Sequence, residues 1–164
     1  MEMTEKPFDK VRRKMVTARI EFMGQLAKFN KEQLSKPPVE GEWSALEVAH
    51  HLYIGDGLLL EALLKVQDED NPLIAEIEKD GPELTRTTEP PASLDAVLAG
   101  MAARREEIFE YLKSLPDEAW ERPLRHPTRG DLKFYQLANM LALHDQIHAK
   151  QLVDIKDALA PAHS

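Results

Sequence analysis

The spacing of the eleven prolines constrains the fold of this 164-residue chain more than any other feature. Proline lacks a backbone N–H and its ring clashes with the preceding helical turn, so it interrupts helix interiors. Four long windows, 8–36, 39–71, 92–115 and 128–160, contain no proline. Within each window apolar residues recur at spacings of three and four, which is the period of an amphipathic helix. The sequence therefore predicts four long helices.

Local capping signals mark where two of these helices begin. Ser44 and Glu47 fit a capping box, in which the hydroxyl accepts from the Glu47 N–H and the carboxylate accepts from the Ser44 N–H. Ser93 is the predicted N-cap of the third helix, and Pro116 lies just beyond its end. Together with the apolar spacing, these signals predict helices at about residues 9–29, 44–67, 93–112 and 133–158.

The connection between the second and third helices is long. It spans residues 68–91, contains four of the prolines, and has one helical turn predicted around residues 73–78. Residues 116–129 are predicted to be irregular, and no useful stretch shows the alternation of a strand. We therefore predict an all-α fold. It is a single domain, residues 1–164, built as a four-helix bundle with a long crossover between helices two and three.

Charge and composition exclude several function classes. The formal charge is −8, and the absence of a basic cluster argues against a nucleic-acid-binding protein. The absence of cysteine excludes disulfides, cysteine nucleophiles and thiolate zinc sites. The amino terminus lacks the apolar region of a signal peptide, and no apolar run is long enough for a membrane span. These features predict a soluble cytoplasmic protein with no nucleic-acid or membrane partner.

Two histidines interrupt the apolar stripe of the fourth helix. His144 and His148 lie one turn apart, so their side chains project from one helix face and suit a single transition-metal ion. A third ligand from the second helix, His50 or His51, would complete a three-histidine site with an open position for water or substrate. Zinc, nickel, iron and manganese all accept imidazole, so these residues do not select the metal. Such a site would activate water or a thiol, or polarise a carbonyl.

Two other metal sites compete for the same residues. Segment 144–148 has the spacing of the zinc-peptidase motif H-E-x-x-H, with Asp145 in place of the glutamate. A di-iron bundle would instead combine two carboxylate-x-x-histidine pairs with inward carboxylates from the remaining helices. The residues available for the di-iron site are Glu47 with His50, Asp145 with His148, and Glu21 and Glu106. The capping box, however, already accounts for Glu47.

Several neighbours of the histidines have structural interpretations beside functional ones. Asp145 and Gln151 would either orient the imidazoles or lie in solvent. Gly55 and Gly57, inside the second helix, favour close helix packing, with room beside a site as the other interpretation. The charged run 104–107 is most simply an exposed helix face.

Two segments resemble the signatures of the DinB/YfiT-like metalloproteins. Residues 42–52, EWSALEVAHHL, resemble the signature W-S…E-x-x-x-H-L, and residues 144–152, HDQIHAKQL, resemble H-D-x-x-H-x-x-Q-L. The order, separation and helical placement of the segments agree with that family, whose length covers essentially the whole chain. The resemblance implies a four-helix bundle of unusual connectivity that binds a divalent metal through three histidines, often as a homodimer.

Carried over to this sequence, the resemblance assigns the metal to His51, His144 and His148, because the ligand directly precedes the leucine of the first signature. It therefore sets His50 aside. Family members with known activities are metal-dependent thiol S-transferases or isomerases that use a low-molecular-weight thiol. We expect an enzyme of thiol S-transferase or hydrolase type that acts on a small molecule with a divalent metal. We expect the metal to be zinc or nickel, and iron or manganese is also compatible with three histidine ligands. The alternative is a non-catalytic bundle that holds a metal or ligand as a sensor or structural module.

Overall fold

In the computed structural model, which describes residues 5–74 and 93–159, one long helix lies in each of the four proline-free windows. The predicted all-α four-helix architecture is confirmed. In chain order the elements are α1 (Pro7–Leu26), α2 (Lys31–Leu34), α3 (Ala45–Asp68), α4 (Leu94–Lys113), a 3-10 turn (Asp117–Glu121), β1 (Pro123–His126), β2 (Gly130–Lys133) and α5 (Phe134–Leu159). Within the described ranges, no helix combines the length and apolar character needed to cross a membrane.

The predicted helix starts are confirmed by their hydrogen bonds. At the start of α3, Ser44 Oγ accepts from the Glu47 N–H at 3.2 Å, and Glu47 Oε1 accepts from the Ser44 N–H at 3.0 Å. Ser93 Oγ accepts from the Ala96 N–H at 3.1 Å at the start of α4. Helix α1 begins earlier than predicted, at Pro7, because a proline in the first turn lacks only an N–H that has no helical acceptor.

The prediction that residues 116–129 are irregular is wrong. β1 and β2 form an antiparallel hairpin in which Leu124 pairs with Leu132, and Gly130 at the turn has a φ of 78°. Leu124 is fully buried and joins the core. Strands of four residues are too short for their alternation to stand out in a sequence.

The start of the long crossover is tied to this hairpin. Leu73, the first residue of the predicted helical turn, instead forms an isolated parallel bridge with Arg125 of β1. The Ile74 N–H donates to the Arg125 carbonyl at 3.0 Å. The rest of that predicted turn, residues 75–78, lies outside the described residues.

The packing of the long helices leaves one seam open. Helices α1 and α5 pack closely and run in the same direction: Pro7 and Tyr135 line one small cavity, and beyond the other end Lys156 Nζ donates to Gln33 Oε1. Helix α3 packs against both α4 and α5, whereas α1 and α4 make few contacts. A groove therefore remains between α1 and α4.

The core consists of two apolar clusters separated by polar residues. One cluster surrounds Met15 and Ile108, and the other surrounds Phe22 and Leu52. Between them, each long helix contributes polar side chains that are buried or nearly so. These residues form the polar layer: Arg19, His51, Asp56, Arg105, His144, Asp145 and His148.

Candidate metal centre

Three histidines of the polar layer meet between α3 and α5. His51 lies on α3, and His144 and His148 lie one turn apart on α5. Nε2 of His144 is 3.2 Å from Nε2 of His51 and 3.1 Å from Nε2 of His148. All three side chains are buried, and one nitrogen from each lies within 4.8 Å of the other two. The structure therefore brings together the three residues that the family resemblance selects.

The spacing of these nitrogens fits a single transition-metal ion. A zinc–imidazole bond is about 2.0–2.1 Å long, so two imidazole nitrogens on one ion lie about 3.0–3.4 Å apart. The observed separations of 3.2 and 3.1 Å fall within that range. A proton on His144 Nε2 forms a hydrogen bond to only one neighbouring ring at a time. One cation, in contrast, accepts a lone pair from each of the three rings. The donor set therefore suits a metal ion.

Burial favours the neutral form of these imidazoles, which is the form that binds metal. The pKa of His51 is lowered to about 4 and that of His144 to about 2, and burial is the largest cause. Repulsion from His148 is the second cause of both shifts. For His144, the guanidinium groups of Arg105 and Arg19 act in the same direction. At neutral pH both rings therefore have lone pairs to offer.

Gln151 orients the third imidazole. Its Oε1 lies 2.6 Å from Nδ1 of His148, one turn along α5. An amide oxygen only accepts, so Nδ1 carries the proton and donates it to Gln151. Nε2 of His148 is then the lone-pair nitrogen, and it is the atom that faces His144. Of the two roles considered for Gln151, the structure favours the orienting one.

Gly55 provides the space that His144 occupies. A Cβ atom at Gly55 would lie 2.6 Å from Cε1 and 3.2 Å from Nδ1 of the His144 ring. Carbon atoms in proteins do not approach so closely, so any larger residue at this position would displace the imidazole. The missing side chain at Gly55 therefore lets α3 and α5 pack closely and also leaves room for the His144 ring.

Trp43 covers one side of the histidine cluster. Its ring centroid is 4.6 Å from that of His51 and 6.2 Å from that of His148. The side chain is 6% exposed, and among the described residues its Nε1–H has no hydrogen-bond partner. Trp43 therefore limits the access of water to the imidazoles from this side.

His50 does not join the cluster. It is half-buried, and its ring stacks at 6.4 Å from the ring of Tyr53. Partial burial lowers the pKa of His50, while the charge of Glu47 opposes that effect. Of the two histidines that sequence spacing left open, only His51 meets the pair on α5.

Four charged residues of the polar layer form a buried ion-pair network next to the histidines. Arg105 lies 3.1 Å from Asp56 and 3.2 Å from Asp145, and Arg19 lies 3.0 Å from both carboxylates. Both aspartates are fully buried. Two guanidinium groups and two carboxylates carry no net charge together, and their mutual hydrogen bonds offset the cost of removing them from water.

This network corrects two predictions. Arg105 was expected on an exposed helix face but is only 5% exposed. Asp145 does not lie in solvent: it is fully buried, and both of its oxygens accept from Arg19 and Arg105. Since Asp145 directly follows His144, these bonds fix the turn of α5 that carries that histidine.

The two competing metal sites are not assembled. Asp145 is bound by two arginines, so it is not placed as the base of a peptidase-like site. Glu47 is engaged in the capping box. Glu21 and Glu106, the other carboxylates considered for a di-iron site, are exposed.

Sequence reasoning missed two members of the network, Arg19 and Asp56. Each occupies a core-facing helix position, four residues after Met15 and Leu52 respectively. A charged residue at such a position must be paired, because an isolated buried charge is very costly. Charged residues of opposite sign within the apolar stripes of different helices could therefore have predicted this ion-pair network.

A sequence model of the DinB superfamily matches residues 14–152. Among curated proteins, the chain is similar to the uncharacterized protein YuaE of Bacillus subtilis (strain 168). The two are 28% identical over 158 residues, and the match covers 88% of this chain and 96% of YuaE.

Solved structures share the fold at low sequence identity. YfiT from Bacillus subtilis, described as a probable metal-dependent hydrolase with an unusual four-helix bundle topology, matches with a TM-score of 0.72 and 17% identity, covering 96% of this chain and 90% of YfiT. The mycothiol-dependent maleylpyruvate isomerase matches with a TM-score of 0.67 and 15% identity, and the match covers 96% of this chain and 69% of the isomerase. The colibactin self-resistance protein ClbS, solved with double-stranded DNA, matches with a TM-score of 0.72 and 10% identity. That match covers 97% of this chain and 100% of ClbS.

Proposed function

The chain belongs to the DinB superfamily, and on that premise we propose that it is a metal-dependent enzyme of thiol S-transferase or hydrolase type acting on a small molecule. The observation that carries the proposal is the convergence of three buried imidazole nitrogens from α3 and α5. In this proposal His51, His144 and His148 hold one divalent ion. Zinc and nickel are the expected metals, and iron and manganese also accept imidazole ligands.

The surrounding residues have distinct roles in this proposal. Gln151 holds the proton of His148 on Nδ1, which leaves Nε2 available as a ligand. Gly55 leaves room for His144, and Trp43 excludes water from one side. When bound by three imidazoles, a divalent ion retains an open position and lowers the pKa of a water or thiol held there.

The reaction class rests on the relatives. YfiT is described as a probable metal-dependent hydrolase, and the isomerase as mycothiol-dependent. We therefore propose a low-molecular-weight thiol as a co-substrate, with hydrolysis of a small molecule as the other reaction.

We propose no nucleic-acid partner, although ClbS of the same fold was solved with double-stranded DNA. The reason is the net charge of −8, which repels a phosphate backbone. We further propose that the protein is a homodimer located in the cytoplasm, with no membrane partner. The homodimer follows from the family resemblance alone.

The burial of the site favours one alternative, a non-catalytic metal-binding bundle. His51 and His144 are each 3% exposed, and Trp43 packs against the cluster. A site so enclosed would retain its ion tightly and admit substrate only after a side chain moves. In that case the metal would serve a sensor or structural role.

An activity screen separates the two candidates. Protein loaded with Zn²⁺ or Ni²⁺ is assayed for thiol transfer to small electrophiles and for hydrolysis of small esters and amides. The enzyme proposal expects metal-dependent turnover that is lost in His148→Ala and kept in His50→Ala. Metal binding without either activity, or turnover that survives removal of the metal, would contradict it.

The tryptophans provide a direct signal for metal binding. Trp43 lies beside His51, whereas Trp120 packs against Phe134 in the other apolar cluster. Ni²⁺ quenches indole fluorescence at short range, so titration should quench a Trp120→Phe variant, which retains only Trp43. The Trp43→Phe variant should show little quenching, and equal quenching of both variants would place the ion elsewhere.

A further inference from the structure

The groove between α1 and α4 is a cavity of about 760 Å³. Its size lies within the range of about 300–1,000 Å³ that is typical of small-molecule pockets. None of the three histidines lines it, so it is a different feature from the candidate metal centre.

The chemistry of the groove changes along its length. Phe8 and Phe109 meet edge to face at one end, with ring centroids 6.4 Å apart. Met23, Leu98 and Met101 line the other end. Between these apolar ends lie the guanidinium groups of Arg19 and Arg105, which belong to the ion-pair network. The groove therefore has an apolar wall on each side of two guanidinium groups, whose charges Asp56 and Asp145 balance.

Arg105 has one hydrogen-bond donor that the network does not use. Its Nε and Nη2 donate to Asp56, and Nη2 also reaches Asp145. Nη1 is buried and has no hydrogen-bond partner among residues 5–74 and 93–159. A buried donor left without an acceptor is unfavourable, so an acceptor supplied from the groove would stabilise it.

The unused donor of Arg105, rather than the charges at the rim, favours a hydrogen-bond acceptor at the centre of the groove. Arg12 lies over the Phe109 ring at 5.9 Å and, with Lys113, adds positive charge to the lining. The acidic lining residues, Asp9, Glu106 and Glu110, are exposed like Arg12 and Lys113, so solvent screens rim charges of both signs. Guanidinium groups recognise carboxylates through paired hydrogen bonds.

We propose that the groove between α1 and α4 binds a small amphipathic carboxylate. The carboxylate lies at Arg19 and Arg105, and the aromatic or aliphatic body packs against one of the apolar ends. This site does not depend on the metal centre, and its ligand can be tested with or without metal.

Three probes with the same apolar body test the charge selectivity: phenylbutyrate, phenylbutylamine and phenylbutanol. Titration calorimetry on the full chain should show saturable binding of phenylbutyrate at millimolar concentration or below. The amine and the alcohol should bind about tenfold or more weakly. Absence of saturable phenylbutyrate binding, or equal binding of the amine, would overturn the proposal.

Two pairs of matched variants locate the site. Ala102 lines the groove and Ala103 does not, although both are exposed on α4, so Ala102→Trp should reduce phenylbutyrate affinity about tenfold while Ala103→Trp leaves it unchanged. Likewise Arg12→Gln should weaken binding more than Arg13→Gln, since Arg13 lies outside the groove. Equal effects within both pairs would overturn the proposal. A change of oligomeric state in Ala102→Trp with unchanged affinity would do so as well, because the groove would then be an interface between copies.

Discussion

At the scale of single residues, Gly55 is the position where the backbone of α3 makes room for a side chain of α5. We predict that Gly55→Ala reduces metal affinity about tenfold or more, because a Cβ 2.6 Å from His144 Cε1 forces the imidazole out of position. The measurement is a Zn²⁺ competition titration. The control is Gly24→Ala on α1, where an added Cβ meets nothing within 4 Å. Equal affinity of the two variants would contradict this account.

The buried His51 also makes a prediction about acid stability. Its pKa is about 4 in the folded chain against an ordinary value of 6.5, so between these pH values the unfolded chain binds more protons. The contribution of His51 to the free energy of unfolding of metal-free protein should therefore be full above about pH 6.5 and fall by roughly 3 kcal/mol as the pH drops to about 4. Urea denaturation at several pH values measures this loss.

A neutral replacement isolates the contribution of that one group. The His51→Gln variant keeps every other titrating residue, so its stability should fall less steeply over the same pH range. Identical pH profiles for the variant and the original chain would show that His51 does not titrate as inferred.

The histidines also show how far single residues can be predicted from sequence. The one-turn spacing of His144 and His148 was enough to place both on one face of α5. His50 and His51 are adjacent on α3 and point about 100° apart, and spacing alone does not say which direction faces α5. That choice required the family resemblance, and the structure places His51 in the cluster.

At the scale of elements, the start of α3 carries the site because His51 lies within its first two turns. We predict that Ser44→Ala lowers the free energy of unfolding by about 1 kcal/mol, since the Glu47 N–H loses its acceptor. Chemical denaturation provides the measurement. Asn30→Ala removes the same kind of cap from α2, which contains no buried residue, and should cost less. A larger loss for Asn30→Ala would contradict the prediction.

Element lengths explain which parts of the fold were predictable. Each long helix occupies most of a proline-free window and repeats its apolar period several times, so its existence could be predicted. The helix α2 and the two strands have four residues each, which is about one turn or two alternations. Asn30 and Gln33 form a capping box at α2, and this was the one local signal that could have revealed it.

At the scale of the whole molecule, the polar layer divides the core into two apolar clusters and holds charges from four helices. We predict that Asp56→Asn lowers the free energy of unfolding by about 3–5 kcal/mol, because it leaves an uncompensated guanidinium charge buried. The double variant that combines Asp56→Asn with Arg105→Met should lose less free energy of unfolding than the two single variants lose together. A double-mutant cycle in urea measures the coupling.

Surface charges provide the comparison for that cycle. Lys133 and Glu121 form an ion pair at 2.8 Å with both side chains more than half exposed, so Glu121→Gln should change stability by less than about 1 kcal/mol. Additive losses at Asp56 and Arg105, or an equal cost at Glu121, would contradict a network that acts as a unit.

The partners within the polar layer could not be read from the sequence. Arg19 and Asp145 are 126 positions apart, and Arg105 and Asp56 are 49 apart. Their pairing depends on which helices are neighbours, and in this bundle α1 and α5 run in the same direction. Periodicity fixes the inner face of each helix but not the helix that it meets.

The central claim is that His51, His144 and His148 hold one divalent ion, and the most direct test is the metal content and Zn²⁺ affinity of four single variants. His51→Ala, His144→Ala and His148→Ala should each lose most of the bound metal, because each removes one of three converging nitrogens. His50→Ala should retain it, since His50 packs against Tyr53 outside the cluster. For the original chain, affinity should also fall as the pH drops, because protons compete for the same nitrogens. Loss of metal in His50→Ala together with retention in His51→Ala, or retention in all four variants, would contradict the assignment.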